Sequence, residues 1–316
     1  MSFISVLFAL LLEQARPLSR GNPIHAAMRS WVRYCSRNLD AGKPLHGWLA
    51  WGLAVGLPSG LVLLIYWSLT YWVGWPLAVL WSALVLYASL GFRQFSSHFT
   101  EIRDALANDD DALARTLLAQ WQHIDTQSWS RSEIIGRVIE FSVLAAHRHV
   151  FGVLAWFSVL AALGLGPMGA VLYRLAEFVT RYWQHKSKAL EQPVSLALQT
   201  NAQTAWRWID SMPARMTVLG FAVVGNFEEA IDGWRRYAAQ SSTDNDGLVL
   251  AATAGAINIQ LGITANPTSA AGLTTGASLR PPPELAHMAI LVGLVWRAVV
   301  MWVVLLALLT LARLIA

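Results

Sequence analysis

The chain has 316 residues, of which 55% are hydrophobic and 13% charged, and its mean hydropathy is +0.45. About a quarter of the residues in soluble domains are charged, so this composition excludes an ordinary soluble protein and predicts an integral membrane protein in contact with the lipid bilayer. The formal net charge of +4 does not indicate a nucleic-acid partner, because basic residues in membrane proteins mainly set orientation and contact anionic lipids. The single cysteine, Cys35, excludes an internal disulfide and a thiolate metal cage.

The N-terminal region combines an apolar run with a basic arm. Residues 1–12 would form about 18 Å of helix, too short for a bilayer core of about 30 Å, so we expect an interfacial or re-entrant helix. Residues 16–43 hold six Arg and Lys residues and one acid, which predicts a cytoplasmic arm. Its spacing predicts a basic amphipathic helix on the membrane surface. The apolar face holds Met28, Trp31, Val32 and Cys35, and the basic face holds Arg29, Arg33 and Arg37.

Apolar stretches predict the spanning helices. Residues 45–67 form the first span, interrupted by Pro58, and residues 75–92 form a second that pairs with it as a hairpin. A thin span is expected at 150–165 and the last one at 288–311. The predicted fold class is therefore an all-α polytopic integral membrane protein, with amphipathic and cytoplasmic helices between the spans. We expect a protein that crosses the membrane several times.

Residues 93–148 differ from the rest and are predicted to form a cytoplasmic helical insertion within a single membrane domain over 1–316. Two short amphipathic helices are expected, the second capped by the aspartates at 109–111. These carboxylates could bind magnesium, but a solvated turn and N-cap is the stronger interpretation. The S-x-x-E pattern from Ser130 to Glu133 predicts a capping box at the start of a further helix.

That further helix carries a first group of candidate site residues. Arg137, Glu140 and His147 lie at helical spacing, and Arg137 and Glu140 can form an i, i+3 ion pair. Such a pair is a structural explanation in itself. His147 and His149 have no further histidine or cysteine nearby at metal-ligand spacing. This favours an interfacial cluster over a catalytic one.

The main candidate site is expected within residues 164–215, where ionisable side chains stand beside apolar segments. Charge in or next to hydrocarbon is costly, and a polar cavity or a partner charge usually explains it. A Gly-Pro-Gly segment near the start of this stretch should break the helix before another one resumes at 170–183. On that helix Arg174, Glu177 and Arg181 share a face, and the last two have the spacing of a favourable i, i+4 pair.

The chain then returns towards the membrane. Asp210 is expected to cap the next helix, over 214–224, with Pro213 in its first turn and Arg215 at its mouth. Asn226 follows in a turn. The C-terminal part should contain a small-residue helix at 248–261, suited to close packing in lipid, and a flexible linker at 263–284.

Three runs in the second half of the chain form a recognisable pattern: GPMGAVLYRLA at 166–176, WIDSMPARMT at 208–217 and AATAGAINIQLG at 251–262. In order and spacing they resemble the CobD/CbiB cobalamin-biosynthesis superfamily. That resemblance implies an inner-membrane protein, and its enzymatic members join an aminopropanol or its phosphate to a corrinoid carboxylate with ATP and Mg²⁺. The superfamily also contains AmpE, a sensory or regulatory membrane protein.

The chain itself carries no G-x-x-x-x-G-K-[ST] phosphate loop and no H-E-x-x-H or G-x-S-x-G motif.

The chain departs from the enzymatic branch at its acidic motifs. That branch opens with an aspartate and with G-D-P and H-P-V type runs, where this chain has EQARP at 13–17 and NPIH at 22–25. An E-N-T-x-D-G type run is replaced by EFS at 140–142 and HRH at 147–149, and an L-D-S-M-x-G-Y run by 175–182 without an aspartate. Amide synthesis from ATP uses carboxylates to hold Mg²⁺. The N-terminal half therefore resembles the AmpE-like branch more closely.

Two functions follow from the resemblance. The first is an ATP-dependent ligase of the adenosylcobinamide or adenosylcobinamide-phosphate synthase type, acting on adenosylcobyric acid. Glu140, Glu177 and Asp210 would then serve in metal binding or proton transfer, although no metal ligand set can be assigned. The expected substrate-binding residues are Arg137, His147, Arg174, Arg215 and Asn226. The alternative is a non-enzymatic AmpE-like sensor in which the same charges form an internal ion-pair network. The sequence leaves oligomerisation open.

Overall fold

The structure is a computed structural model that describes residues 2–15, 23–122, 124–188, 194–241, 243–262 and 280–315. The elements assigned in these residues are helices, and no strand occurs among them. The helices are α1 Ser2–Ala15, α2 Pro23–Leu39, α3 Pro44–Trp72, α4 Trp75–Ser89, α5 Phe92–Ala107, α6 Asp111–Gln122, α7 Arg131–Ala146, α8 Gly152–Ala162, α9 Met168–Lys188, α10 Leu196–Val224, α11 Phe227–Gln240, α12 Asn245–Ala256 and α13 Leu285–Ile315. A π-helical turn, His147–Phe151, joins α7 to α8.

Three helical segments of the described residues are long and apolar enough to cross a membrane, namely Pro44–Trp72, Arg131–Ala162 and Leu285–Ala312. The shorter helices Phe3–Ala15 and Trp75–Ser89 are also apolar. These segments confirm the predicted class, an all-α polytopic membrane protein. The first and last spans were placed correctly, although both helices extend beyond the predicted limits.

The middle span begins earlier than the sequence suggested. The expected start was Val150, but the helical segment begins at Arg131. Its charges are partly neutralised within the helix, because Arg137 Nη1 pairs with Glu140 Oε2 at 3.2 Å and Glu140 is buried. The cytoplasmic placement of 93–148 stays a prediction.

The chain groups into two compact units. The first unit contains Met1–Gly91, Arg148–Pro213 and Leu305–Ala316, and the second contains Phe92–His147 and Ala214–Val304. This grouping does not test the prediction that residues 1–316 form a single membrane domain. Of the predicted linker at 263–284, residues 263–279 lie outside the described residues, and the last part before α13 is not helical.

The core of the first unit is formed where α2, α3, α9 and α10 pack together. Its buried side chains are Val32, Cys35, Ala50, Ala54, Val55, Leu175, Ala176, Val179, Trp183, Val194, Leu198 and Ala202. The predicted amphipathic character of α2 is confirmed, because Val32 and Cys35 are buried while the three arginines of its basic face are exposed. Burial raises the pKa of the Cys35 thiol, consistent with an apolar filler rather than a reactive group.

The predicted helix break before α9 is present. Gly164 and Gly166 have φ angles of +79° and +55°, in the left-handed region that favours glycine. A side chain at Gly166 would also collide with the ring of Tyr66. The Trp67 indole donates a hydrogen bond to the Gly164 carbonyl at 3.1 Å, which ties this turn to α3.

The prediction that Asp210 caps a helix starting near Pro213 was wrong. Helix α10 runs without interruption through both residues. Proline has no N–H to donate to the carbonyl of Ile209, four residues earlier, and an interior proline normally costs helix stability for this reason. Here the indole N–H of Trp156 donates to that carbonyl at 2.9 Å. The bond that Pro213 removes is thus replaced from outside the helix, which a pattern within one segment could not reveal.

In the second unit the predicted caps are confirmed. Ser130 and Glu133 form the reciprocal capping box at the start of α7. The Asp110 side chain accepts a hydrogen bond from the Leu113 N–H at 2.9 Å at the start of α6. Arg131 pairs with the neighbouring aspartates, at 2.8 Å to Asp109 and 3.1 Å to Asp111. These contacts support a cap and turn rather than a magnesium site.

Helices α11 and α12 pack closely, because small residues at their contact let the two backbones approach. A Cβ at Gly233 would meet the backbone of Ala251, and a Cβ at Gly255 would meet the backbone of Glu229. The small-residue helix is therefore confirmed, although it starts at Asn245 and ends at Ala256 rather than spanning 248–261.

Candidate functional site

A polar cluster in the first unit is centred on one face of α9. Its members come from α9, from the π-helical turn and from α10. We call it the polar cluster, and it contains Arg148, His149, Tyr173, Arg174, Glu177, Arg181 and Asp210. Spacings of three and four residues along α9 bring its ionisable side chains together, as the sequence predicted.

Glu177 is the centre of the ion pairs in this cluster. Its Oε2 accepts from Arg174 Nη1 at 2.5 Å, and its Oε1 pairs with Arg181 Nε at 2.7 Å. Burial would raise the pKa of Glu177, but the two arginines outweigh it and lower the pKa to about 2. The carboxylate is therefore ionised at neutral pH, and each of its oxygens binds an arginine.

Tyr173 and Asp210 form the second contact of the cluster. The phenol donates to Asp210 Oδ1 at 2.7 Å, and both residues are buried. Burial, followed by the charge of Asp210, raises the pKa of Tyr173 well above its usual range, so this phenol stays protonated. The ring of Trp206 packs against Tyr173 at 5.1 Å between centroids. The glycine at position 152 leaves room for the phenol, because a side chain there would overlap it.

The π-helical turn contributes the two remaining members. An inserted residue in such a turn changes the direction in which side chains point, and these turns are frequent at functional sites. His149 lies close enough to Arg174, Glu177 and Arg181 for their charges to act on it. Its Nδ1 is buried and has no hydrogen-bond partner among the described residues. Arg148 acts electrostatically on Tyr173 and Glu177.

An apolar cavity of about 410 Å³ reaches one member of the cluster. We call it the apolar cavity, and its lining residues are Ile24, Ala27, Met28, Trp31, Pro58, Val62, Val85, Ala88, Ser89, Val171, Arg174 and Leu175. Small-molecule sites typically occupy about 300–1,000 Å³, so this volume is at the small end of that range. Arg174 supplies the charge in its lining, whereas Glu177 does not line it.

Comparison with known proteins identifies the family. The family model described as "CobD/Cbib protein" matches residues 6–270. The chain belongs to the CobD/Cbib family. This confirms the resemblance carried by the three runs at 166–176, 208–217 and 251–262.

The curated relatives of this CobD/Cbib family member are all named alike. A "Cobalamin biosynthesis protein CobD" of Stutzerimonas stutzeri is 29% identical over 96% of this chain and 96% of its own length. One from Chromobacterium violaceum is 33% identical over 56% of this chain and 54% of its own length. One from Leptospira interrogans is 30% identical over 60% and 58%, respectively. No solved structure matches the chain.

The predicted site residues fall into both units of this CobD/Cbib family member. Arg174, Glu177 and Asp210 belong to the polar cluster of the first unit. The other five lie in the second unit: Arg137, Glu140, His147, Arg215 and Asn226. Their catalytic and substrate-binding roles stay predictions.

The second-unit residues have local contacts of their own. Arg137 pairs with Glu140 and its guanidinium lies 5.2 Å from the ring centroid of Trp129. His147 Nδ1 shares a hydrogen bond of 2.9 Å with the Thr217 hydroxyl.

Two further second-unit residues lie nearer the surface. Asn226 is the N-cap of α11, accepting from the Glu229 N–H at 3.3 Å. Arg215 is exposed on α10.

Sequence reasoning missed Tyr173 and gave His149 only an interfacial role. Tyr173 stands in an apolar run, and its partner Asp210 lies 37 positions further along, so no local spacing could connect them. The π-helical turn was likewise hidden, because HRHVF reads as ordinary helix.

The described residues do not fit a dedicated metal site. They contain no group of three or more His, Cys, Asp or Glu side chains placed to hold a metal ion. The most central acid of the polar cluster, Glu177, already binds two arginines through its two oxygens. The Mg²⁺ and ATP implied by the family resemblance are therefore assigned to no residue.

Proposed function

We propose that this protein acts in cobalamin biosynthesis, where it joins an aminopropanol or its phosphate by an amide bond to the carboxylate of a corrinoid such as adenosylcobyric acid. The observation that carries the proposal is the family match over residues 6–270, together with the shared name of the relatives. The same comparisons support this role over the alternative of an AmpE-like sensor.

Arg174 is the residue of the polar cluster best placed to meet a ligand. It lines the apolar cavity, and a guanidinium forms strong paired hydrogen bonds with carboxylate or phosphate. We propose that it holds an anionic group of a substrate. Arg215, which is exposed in the second unit, is a separate candidate for the same chemistry.

Glu177 is a positioning residue in this proposal rather than a proton carrier. A carboxylate whose pKa is about 2 is a weak base at neutral pH and holds no proton to donate. Its ion pairs instead fix the directions of Arg174 and Arg181. Asp210 and Glu140 remain the candidates for accepting the proton that the attacking amine loses when the amide bond forms.

The proposed ligation consumes ATP in the presence of Mg²⁺, and the nucleotide would supply the activation of the corrinoid carboxylate. No residue of the chain is assigned to it. We further propose that the protein lies in the bacterial inner membrane with its basic N-terminal arm on the cytoplasmic side, where ATP is available. The corrinoid would be its small-molecule partner.

An assay with the purified full-length protein tests the proposal. Adenosylcobyric acid, aminopropanol phosphate, ATP and Mg²⁺ are supplied together, and the amide product is detected by mass spectrometry. Omission of each component in turn should abolish the product. In cells, deletion of the gene should block growth on cobyric acid, while cobinamide restores it. Absence of product together with growth that does not depend on the corrinoid source would overturn the proposal.

A further inference from the structure

The apolar cavity lies beside a membrane-spanning helix. Its walls come from α2, α3, α4 and α9, and α3 is one of the three candidate spans. The side chains of Ile24 and Ala27, on the α2 wall, are exposed, so the cavity opens along this amphipathic helix. An amphipathic helix with a basic outer face is typical of the lipid head-group level, and the apolar face of α2 packs on the core of the first unit.

Basic side chains collect at the α2 edge of the cavity. Ile24 and Met28 line the cavity, and His25 and Arg29 are the next residue after each, one helical turn apart. His25 is partly buried, and this burial, followed by the charges of Arg174 and Arg29, lowers the pKa of His25 and favours its neutral form. Arg29 is exposed and faces the solvent or the head groups.

Acidic residues are nearly absent from the helices that form this cavity. The sequences of α2, α3 and α4 contain no aspartate or glutamate. Helix α9 contains one, Glu177, and both of its oxygens already bind arginines. The surroundings therefore complement a ligand that is anionic at one end and apolar along the rest.

We propose that the apolar cavity binds an anionic phospholipid, with part of an acyl chain between α2, α3, α4 and α9 and the phosphate beside His25 and Arg29. The walls are apolar, the opening lies along the amphipathic helix α2, and the Arg29 guanidinium stands at that opening beside His25, a neutral hydrogen-bond donor. A lipid is the ligand whose two parts match these two features at this depth. This inference does not rest on the proposed ligase activity, and it places the phosphate at His25 and Arg29 and leaves Arg174 to the substrate's anionic group.

A binding experiment with defined lipids tests the inference. The full-length protein is purified in detergent, stripped of lipid by detergent exchange, and titrated with phosphatidylglycerol or phosphatidylcholine that carry identical acyl chains. Native mass spectrometry then counts the lipids retained. Each basic group near an anionic lipid contributes enough attraction that we expect retention of phosphatidylglycerol at about tenfold lower concentration than phosphatidylcholine.

Two variants with matched controls separate the parts of the site. Ala88→Phe fills the cavity and should abolish the retained lipid, whereas Leu64→Phe, at an exposed position of α3 outside the lining, should leave it unchanged. The double variant His25→Gln with Arg29→Gln should remove the preference for phosphatidylglycerol. Arg37→Gln, on the same helix but away from the cavity, should keep it. Size-exclusion elution identifies any variant that fails to fold.

Several results would overturn the inference. Equal retention of both lipids by the unmodified protein would exclude recognition of the anionic head group. Equal effects of Ala88→Phe and Leu64→Phe would exclude the cavity as the place of the acyl chain. Displacement of phosphatidylglycerol by inorganic phosphate alone would indicate a site for free anions, and displacement by a corrinoid would assign the cavity to that substrate. None of these measurements uses ATP, so they are independent of the ligation assay.

Discussion

Trp156 donates its indole N–H to the carbonyl oxygen of Ile209 at 2.9 Å, and this carbonyl is the one that Pro213 leaves without a donor inside α10. An unpaired buried carbonyl costs about 1–3 kcal/mol. A side chain of α8 thus stabilises α10 at the point where Pro213 would otherwise interrupt that helix. This contact also places α8 against the part of α10 that carries Asp210.

Replacing Trp156 by Phe should lower the free energy of unfolding, because the Ile209 carbonyl loses its donor. Because this hydrogen bond is only partly buried, the loss should be about 1 kcal/mol beyond the change in packing. Adding Pro213→Ala should recover part of it, since alanine restores the N–H that bonds this carbonyl within the helix. Thermal unfolding in detergent of the two single variants and the double variant measures the coupling.

Trp208→Phe is the matched control for this cycle, because Trp208 is 77% exposed and should tolerate the change. Strictly additive effects of Trp156→Phe and Pro213→Ala would show that the indole does not replace the missing helix bond.

The buried Tyr173–Asp210 hydrogen bond should contribute to stability. Tyr173→Phe keeps the ring but removes the donor to a buried carboxylate, which should cost about 1–3 kcal/mol. Tyr182→Phe on the same helix is the comparison, because its hydroxyl accepts a 3.3 Å hydrogen bond from Arg33 at an exposed position. Chemical or thermal unfolding should separate the two variants, and equal stabilities would contradict the role given to the buried phenol.

The ion pairs of Glu177 predict an acid-dependent loss of stability. Its folded pKa of about 2 lies below the usual 4.5, so the unfolded state binds the proton more readily. The contribution of Glu177 is therefore fully present above about pH 4.5 and is lost as the pH falls towards 2. The thermal midpoint of the unmodified protein should fall over this window more steeply than that of Glu177→Gln.

The Gln variant should be the less stable protein at neutral pH, because Arg174 and Arg181 lose a buried counter-charge. Glu228→Gln, at an exposed acid, provides the control and should follow the unmodified protein. If Glu177→Gln and the unmodified protein lose stability in parallel below pH 4.5, the ion pairs do not stabilise the fold.

The close contact of α11 with α12 makes Gly255 sensitive to substitution. A methyl group there would press on the backbone of Glu229, which cannot move aside as a flexible side chain could. Gly255→Ala should therefore destabilise the protein by about 1–3 kcal/mol. Gly293→Ala, where the added carbon meets nothing within 4 Å, should be neutral or slightly stabilising in its helix. Similar midpoints for both variants would contradict the close packing.

Features set by local spacing could be predicted from the sequence. The face of α2, the Ser130–Glu133 capping box and the Glu177–Arg181 pair all depend on residues three or four positions apart, and all three are present. Hydropathy also located the first and last spans, because long apolar runs have few alternatives in a membrane protein.

Features that depend on distant residues could not be predicted. The sequence predicted a helix start at Pro213. No residue near Pro213 in the sequence shows that Trp156 donates to the Ile209 carbonyl, which the proline leaves without a donor. Tyr173 was overlooked because its partner Asp210 lies on another helix. The predicted catalytic acids were chosen by charge alone, and charge does not reveal whether a carboxylate is available, as the doubly paired Glu177 illustrates.

Arg174 links the polar cluster to the apolar cavity, so its substitution should impair the proposed ligation. Loss of a hydrogen bond to a charged substrate group costs about 1.5–3 kcal/mol, which corresponds to a decrease of about 10- to 100-fold in kcat/KM. Arg174→Gln should show this decrease, mainly through KM for the anionic substrate, while Arg37→Gln, on the exposed face of α2, should retain activity. Arg174→Lys should recover only part of it, because an ammonium does not reproduce the paired geometry of guanidinium. Thermal midpoints measured alongside identify any loss that is due to unfolding. Full activity of a folded Arg174→Gln protein would remove Arg174 from the substrate site.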